Sequence, residues 1–310
     1  MGDHGTPLPA IPYEAWEPAK ITLHLYCQVV GKIALRSSAL RNHWWNVTLR
    51  PTARGVKTQP LSAGTTSFDI EFDFVEHHVA VRASTAREPA LIRLRDGLSV
   101  ADFYAAMRGA LHGFAIDVPI LAKPYGVPSL TTPFAEDREH RSYDAVMVRR
   151  WWDVIRWSSD VLERFAGEFA GKQGPVQLFW HSFDLALARY SGRRAGVAPP
   201  SDPVEREAYS HEVIAFGFWA GDANVAAPTY YTYTAPEPPT LTTFPLRPNG
   251  AAWNPAGSGH LGTVPYDVVR AAGDPQAALL SFLRSGYEAG ACAAGWDMAD
   301  LAHDARARDV

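Results

Sequence analysis

The hydrophobic pattern near the start of the chain changes from a helical period to a strand period. Apolar residues recur every four positions after Pro18 and predict a first helix that ends at Gly31. Residues 67–74 alternate instead, with four apolar side chains on one face and three carboxylates on the other, which predicts a strand with solvated carboxylates. Shorter β-branched or aromatic runs predict further strands at residues 43–49, 56–61, 77–84, 90–95 and 116–121.

Two further helices follow from caps and periodicity. Ser99 precedes an amphipathic run and is predicted as its N-cap. A much longer apolar face begins near Ser142 and continues to Gly171, and at 1.5 Å per residue it predicts one long central helix of roughly 40 Å. Runs rich in β-branched and aromatic residues then predict strands at 175–192, 212–218 and 229–235.

The order of these elements predicts an α+β protein with two related halves. In each half a helix is followed by a Gly-Lys pair and then by adjacent aromatic residues: Gly31-Lys32 before Trp44-Trp45, and Gly171-Lys172 before Phe179-Trp180. We therefore expect antiparallel strands packed with helices in both halves, with a possible internal duplication. The predicted boundaries are 1–15 for an extended lead-in, 16–140 for the N-terminal half and 141–305 for the C-terminal half.

The Gly-Lys pairs do not fit a phosphate-binding loop. Such a loop needs an upstream glycine and a Ser or Thr directly after the lysine, whereas Ile33 and Gln173 stand at those positions. We expect each glycine to cap a helix C-terminus and each lysine to interact with the negative end of the helix dipole.

Composition excludes several classes of protein. The chain has 47% hydrophobic and 20% charged residues, which is too apolar for intrinsic disorder. Its net charge is −4 and its basic residues are scattered among acidic ones, so we expect no nucleic-acid partner. No leader pattern and no uncharged apolar run of about 18 residues occurs, so we expect a cytoplasmic protein without a membrane partner. Cys27 and Cys292 are too far apart in sequence to form a CxxC pair.

The densest group of unusual residues lies between positions 209 and 237. Tyr231 and Tyr233 share one strand face and predict an aromatic-lined pocket, although such rings also fit an ordinary core. Three more residues complete the set of substrate-binding candidates: Trp219, Glu237 and Trp45.

His211 and Glu212 are the candidate catalytic acid-base residues. Adjacent strand residues point to opposite faces, so we expect one of the two to be structural. The run HEVIA lacks the second histidine of a zinc-binding HExxH motif. A metal site can also form from residues distant in sequence, and the candidate ligands are His211, His140 and His43, with Asp184 as a further one. The sequence points to no particular cofactor.

Several longer strings are distinctive: FWHSFDLALARYSGRRA, HEVIAFGFW, NHWWNVTLRPTARG and HRSYDA. Together they resemble a bacterial family catalogued as domain of unknown function 5996, and the resemblance extends over nearly the whole chain. The family often has glycine at the position of His181, so this histidine departs from the pattern and is a weaker site candidate. The resemblance implies one coherent unit but no reaction, because the family has no established activity.

Three functions fit these observations. The first is an enzyme that acts on a small molecule through an aromatic-lined pocket with His or carboxylate acid-base chemistry, or with a metal. The second is a non-catalytic small-molecule binding protein with the same pocket. The third is a protein-interaction module that presents the proline-rich segment 235–255. The oligomeric state is open, because the tryptophan pairs at 44–45 and 151–152 fit either a core or a dimer seam.

Overall fold

The computed structural model describes residues 8–196, 202–223 and 225–303, which form two compact units. The N-terminal unit consists of Ile11–Arg156 and Gln177–Asp184. The C-terminal unit consists of the described parts of Met1–Ala10, Trp157–Val176 and Leu185–Val310. The chain therefore leaves the N-terminal unit and returns to it for one short segment.

The N-terminal unit combines helices with an antiparallel sheet. The strands of this sheet are β1 (Arg50–Pro51), β2 (Gly55–Lys57), β3 (Leu61–Ala63), β4 (Thr66–Asp73), β5 (His78–Ala83) and β6 (Ala90–Arg93). The unit also contains β7 (Gln177–Phe179), which is not part of this sheet. The sheet order is β1-β2-β4-β5-β6, and β3 pairs with β4 outside this path. The helices are α1 (Glu17–Ser37), α2 (Val100–Gly113) and the first part of α3 (Ala145–Ala166), with 3-10 turns at Tyr13–Ala15 and Asn42–Trp44.

The core of the N-terminal unit lies between β4 and the first two helices. Phe72 of β4 is fully buried, as the alternating pattern predicts. Its ring centroid lies 6.4 Å from that of Phe103 in α2, and Tyr26 of α1 stacks on Phe103 at 4.2 Å. The returning segment joins this unit through Leu178, whose backbone N–H and C=O both bond to Leu49, at 2.8 and 2.9 Å.

The C-terminal unit contains a second antiparallel sheet. Its elements are β8 (Asp184–Arg194), α4 (Pro203–Ala208), β9 (His211–Trp219), β10 (Thr229–Ala235), a 3-10 turn (Leu241–Thr243), β11 (Ala252–Ala256), β12 (Gly259–Pro265), α5 (Tyr266–Arg270) and α6 (Pro275–Ala293). The strand order is β11-β12-β10-β9-β8. A Cβ at Gly286 would lie 2.7 Å from Thr232, so this glycine lets α6 approach β10 closely.

The predicted α+β class and the long central helix are confirmed. Both units contain antiparallel strands and helices, and α3 has 22 residues. Ser99 accepts a hydrogen bond from the backbone N–H of Asp102 and caps α2, as predicted. The possible internal duplication stays a prediction. None of the helices in the described part of the chain is both long enough and apolar enough to cross a bilayer.

Both predicted glycine stops are wrong. Helix α1 continues through Gly31 to Ser37. Gly31 serves the packing of the helix and not its end, because the indole of Trp180 lies directly against this glycine. Helix α3 ends at Ala166 and not at Gly171. It also begins later than predicted, because Asp144, and not Ser142, caps the backbone N–H groups of its first turn.

Two predicted strands are also wrong. In segment 43–49, His43 and Trp44 adopt positive φ angles of 55° and 62°, which are incompatible with an extended strand and produce a turn. Segment 116–121 has no strand partner in the described chain. Its Pro119 lacks an N–H group for a sheet ladder, and Ile116 is its one buried residue.

Candidate functional site

The predicted catalytic pair is divided between the two faces of β9. The Glu212 carboxylate accepts hydrogen bonds from Ser191 Oγ at 2.9 Å, Arg193 Nε at 2.9 Å and Trp296 Nε1 at 3.1 Å. Arg193 also donates to the carbonyl oxygen of Ala294, directly after α6. Glu212 therefore links β8 and β9 to the end of α6, which is a structural role.

His211 lies on the opposite face, at the start of β9. Its Nδ1 is 3.0 Å from the hydroxyl of Ser210. Partial burial is the main cause that lowers the pKa of His211, and the positive charges of Lys172 and Arg194 lower it further. His211 is therefore a neutral imidazole at pH 7, the form that can accept a proton.

The predicted tyrosines lie on the same face as His211. Tyr231 and Tyr233 stack with ring centroids 6.2 Å apart and an interplanar angle of 15°. The hydroxyl of Tyr233 is 3.3 Å from that of Tyr209, and Gly217 leaves room for the ring of Tyr231. We call these residues the tyrosine face: Tyr209, His211, Tyr231 and Tyr233.

The other substrate-binding candidates lie farther away. Trp219 is on the same sheet face as His211 and Tyr231 but at the opposite end of β9, where it pairs with Thr229. Glu237 accepts hydrogen bonds from the backbone N–H of His260 at 2.5 Å and from its Nδ1 at 2.8 Å, so it anchors the start of β12. Trp45 belongs to the N-terminal unit.

The metal-ligand candidates are held in separate environments. His43 belongs to the N-terminal unit, where its ring lies 5.4 Å from that of Trp45. His140 is in the same unit, and its Nδ1 is 2.8 Å from the Asp137 carboxylate. His211 belongs to the C-terminal unit. In the parts of the chain that the structure describes, no three His, Cys, Asp or Glu side chains are placed to hold a metal ion.

Sequence analysis missed a polar stripe on α1 in the N-terminal unit. Four polar side chains at intervals of four residues lie on one side of this helix, and all are buried: Lys20, His24, Gln28 and Lys32. The spacing of these four residues in an otherwise apolar helix is a signal that could have revealed the stripe. Buried lysines are rare in proteins, so such a stripe requires an explanation.

His24 holds the turn that carries Trp180. Its Nε2 lies 3.0 Å from the carbonyl oxygen of Trp180 and 3.1 Å from that of His181, so this nitrogen carries the ring proton and donates it. The imidazole stacks on Phe183, a residue with a positive φ of 60°, at a centroid distance of 5.2 Å. Burial, assisted by the charge of Lys20, lowers the pKa of His24 to about 3.

Gln28 holds the loop that carries Tyr125. Its Oε1 accepts a hydrogen bond from the backbone N–H of Tyr125 at 2.8 Å. Its Nε2 donates to the backbone carbonyl oxygen of the same residue at 3.0 Å. Two side chains of α1 thus fix two aromatic residues from different segments of the chain.

Lys32 lies between these two aromatic residues. Its Nζ is 5.9 Å from the ring centroid of Tyr125 and 5.8 Å from that of Trp180. A Cβ at Gly31 would lie 2.1 Å from the indole, so only glycine admits Trp180 at this position. We call this arrangement the lysine site: Gly31, Lys32, Tyr125 and Trp180.

The lysine site lacks a counter-charge. Lys32 is 7% exposed, and no ion pair or hydrogen bond joins its ammonium group to the other described residues. The indole N–H of Trp180 is buried and has no hydrogen-bond partner among them either. Burial is the main cause that lowers the pKa of Lys32, and the charge of Lys123 lowers it further. The site can therefore accept a negatively charged or carbonyl-bearing group.

These features define an α+β protein that buries a lysine between two aromatic rings in one of its two units. The sequence profile described as "Family of unknown function (DUF5996)" matches residues 8–303, so the chain belongs to this family and the resemblance found from its sequence is confirmed. No curated protein and no solved structure matches the chain.

Proposed function

We propose that this protein is an enzyme that acts on a small organic molecule with an anionic group, which it binds at the lysine site. The observation that carries the proposal is Lys32, a residue that is only 7% exposed and whose ammonium group faces two aromatic rings without an ion pair to any described residue. The alternative is a non-catalytic binding protein that uses the same site for the same class of ligand.

The energetics of Lys32 favour a charged ligand. Transfer of an unpaired ammonium group into a protein interior costs several kcal/mol. A cation–π contact offsets about 0.5–2 kcal/mol of this cost, and the nearby charge of Lys123 adds to it. A carboxylate or phosphate beside Lys32 would offset most of the remaining cost. An oxygen of the same ligand could also accept a hydrogen bond from the indole N–H of Trp180, which has no partner among the described residues.

The arrangement around Lys32 is preorganised. His24 and Gln28 hold the backbones of Trp180 and Tyr125 through hydrogen bonds of 2.8 to 3.1 Å, so the aromatic walls are positioned before a ligand arrives. A ligand then does not need to order these segments when it binds, which lowers the cost of association.

The test is calorimetric titration of the full-length protein with acetate, benzoate, pyruvate and inorganic phosphate. Lys32→Met should weaken binding at least about tenfold, because the cation is lost while the stem is retained. Lys57→Met is the matched control, because Lys57 is half-exposed and lies 3.9 Å from Asp69 on the sheet. Equal binding by both variants, or no binding of any probe to the wild-type protein, would contradict the proposal.

The stability of Lys32→Met separates a binding defect from misfolding. Removal of a buried, unpaired charge should leave the free energy of unfolding unchanged or raise it. A binding defect in a variant that is at least as stable as the wild-type protein would therefore be attributable to the site. Urea unfolding of the unliganded variant measures this quantity.

The tyrosine face is the second candidate for small-molecule chemistry. The observation that favours it is the position of His211 on the same strand face as the stacked rings of Tyr231 and Tyr233. Partial burial and the charges of Lys172 and Arg194 lower the pKa of His211, which favours the proton-accepting form. His211→Ala and Tyr233→Phe should then abolish turnover of a substrate found by screening, with little loss in melting temperature. If both variants unfold instead, the face is structural.

A further inference from the structure

We infer that Lys32 is a nucleophile that forms an imine with the substrate, so that the substrate is a small aldehyde or ketone that also carries an anionic group. This inference rests on the proposed function, because the carbonyl compound would occupy the same lysine site. The covalent step is a separate claim from the proposed binding of anions, because a site can bind anions without forming an imine.

Lys32 differs from the other four lysines of the chain in its surroundings. Lys57 lies 3.9 Å from the carboxylate of Asp69, so its ammonium group has a counter-charge that Lys32 lacks. Lys123 is exposed to solvent. Lys32 is buried between aromatic rings, and no carboxylate among the described residues reaches it.

The two remaining lysines also have neighbours of a different kind. Lys20 is buried near the ring of Tyr13, at 5.5 Å, and Lys172 of the C-terminal unit is 5.0 Å from the ring of Tyr190, with the charge of Glu207 nearby. Lys32 combines two aromatic rings with a second lysine nearby and, among the described residues, has no carboxylate partner.

Desolvation and a neighbouring cation are the two conditions that activate a lysine nucleophile. Both lower the pKa of Lys32, which increases the fraction of neutral amine at pH 7. Lys123 then has a second role, because its positive charge can attract the anionic group of the substrate while the carbonyl carbon approaches Lys32.

The covalent step requires no oxidant or reductant. The nitrogen lone pair of the neutral Lys32 amine attacks the carbonyl carbon, and the C–N bond forms as the carbonyl π bond breaks. The oxygen takes up a proton and the nitrogen releases one, which yields a carbinolamine. Protonation of its hydroxyl expels water, and loss of the last N–H proton leaves the neutral imine. The balance is amine plus carbonyl to imine plus one water.

The experiment uses the full-length protein, pyruvate as the probe and sodium cyanoborohydride to reduce any imine to a stable secondary amine. Peptide mapping by mass spectrometry can assign the adduct among the five lysines of the chain. We expect modification of Lys32 about tenfold faster than that of any other lysine. Excess benzoate should slow it by competition for the site.

Two variants keep this test decisive. Lys32→Arg retains the positive charge but cannot form an imine, so the main adduct should disappear while benzoate binding persists. Lys57→Arg is the control and should be modified at Lys32 as in the wild-type protein. Circular dichroism verifies that both variants are folded.

The results also separate this inference from the proposed function. Adducts spread over the lysines according to their exposure, or an unchanged adduct yield in Lys32→Arg, would overturn the imine. Anion binding that depends on Lys32, without any trapped adduct, would overturn the imine and leave the proposed binding function intact. Absence of anion binding in the wild-type protein would contradict the proposed function itself.

Discussion

The buried imidazole of His24 should make this protein sensitive to acid. His24 is 6% exposed, and its pKa falls from 6.5 to about 3 on folding. The unfolded chain therefore takes up a proton on His24 below pH 6.5, whereas the native state does not. Because the unfolded state binds more protons in this range, the free energy of unfolding decreases as the pH falls from 6.5 towards 3.

The expected magnitude follows from this difference in pKa. Each pH unit below 6.5 costs about 1.4 kcal/mol, until the native pKa is approached. Between pH 6.5 and pH 4.5 the contribution of His24 is then roughly 2 kcal/mol, because the unfolded chain is already half-protonated at pH 6.5; this is a large fraction of the stability of an ordinary domain. Well above pH 6.5 the group is neutral in both states and contributes no pH dependence.

The assay is urea unfolding at pH 7.5, 6.5, 5.5 and 4.5, monitored by tryptophan fluorescence. His24→Gln retains an N–H donor for the carbonyl oxygens of Trp180 and His181 but cannot titrate. Its loss of stability between pH 6.5 and pH 4.5 should be smaller than that of the wild-type protein by roughly 2 kcal/mol. His112→Gln, at an exposed position of α2, should behave as the wild-type protein does. Parallel pH profiles for His24→Gln and wild type would refute the reasoning.

Three further predictions concern packing and charge, and urea unfolding measures each of them. Gly31→Ala should lose about 1–3 kcal/mol and the ligand binding of the lysine site, because its Cβ would lie 2.1 Å from Trp180. Gly109→Ala in α2, where nothing lies within 4 Å, should gain up to about 1 kcal/mol, and equal effects at both glycines would contradict this account. Glu212→Gln should lower the free energy of unfolding by about 1–2 kcal/mol, because the contacts with Arg193, Ser191 and Trp296 weaken. Glu288→Gln, which removes one partner of an exposed ion pair, should lower it by less than about 0.5 kcal/mol. Arg189→Ala should lower the free energy of unfolding by about 3 kcal/mol or more. The guanidinium group is buried 3.5 Å from the ring centroid of Phe165 and donates a hydrogen bond to the carbonyl oxygen of that residue. A loss below about 1 kcal/mol would contradict this account.

Elements whose signals are local could be predicted from the sequence. Strand β4 follows from strict alternation over eight residues, because the strand period by itself defines its apolar face. The predicted solvation of its carboxylates is wrong for Asp73, which is buried and forms an ion pair with Arg54. The start of α2 follows from Ser99, whose hydroxyl satisfies a backbone N–H three residues later. Similar reasoning placed His211 and Glu212 on opposite faces of β9, because adjacent strand residues alternate.

Elements that depend on distant partners could not be predicted in this way. Gly31 is a typical helix terminator, yet α1 continues for six residues beyond it, since the indole that packs on this glycine comes from a segment about 150 positions later. The turn at His43 and Trp44 was wrongly predicted as a strand for a related reason. Its aromatic and β-branched residues favour a strand locally, but the side chain of Asn46 bonds to Ser38 and to the backbone of Arg41 and closes the turn.

The candidate sites divide along the same line. The sequence by itself determined the α+β class, the family and the shared strand face of Tyr231 and Tyr233, because periodicity and family strings are properties of neighbouring residues. Only the tertiary structure decided that Glu212 is bonded to Ser191, Arg193 and Trp296 and that Lys32 is buried beside Tyr125 and Trp180. The physical reason is that burial and charge pairing depend on which distant segments pack against a residue. The sequence of one helix or strand does not specify those segments.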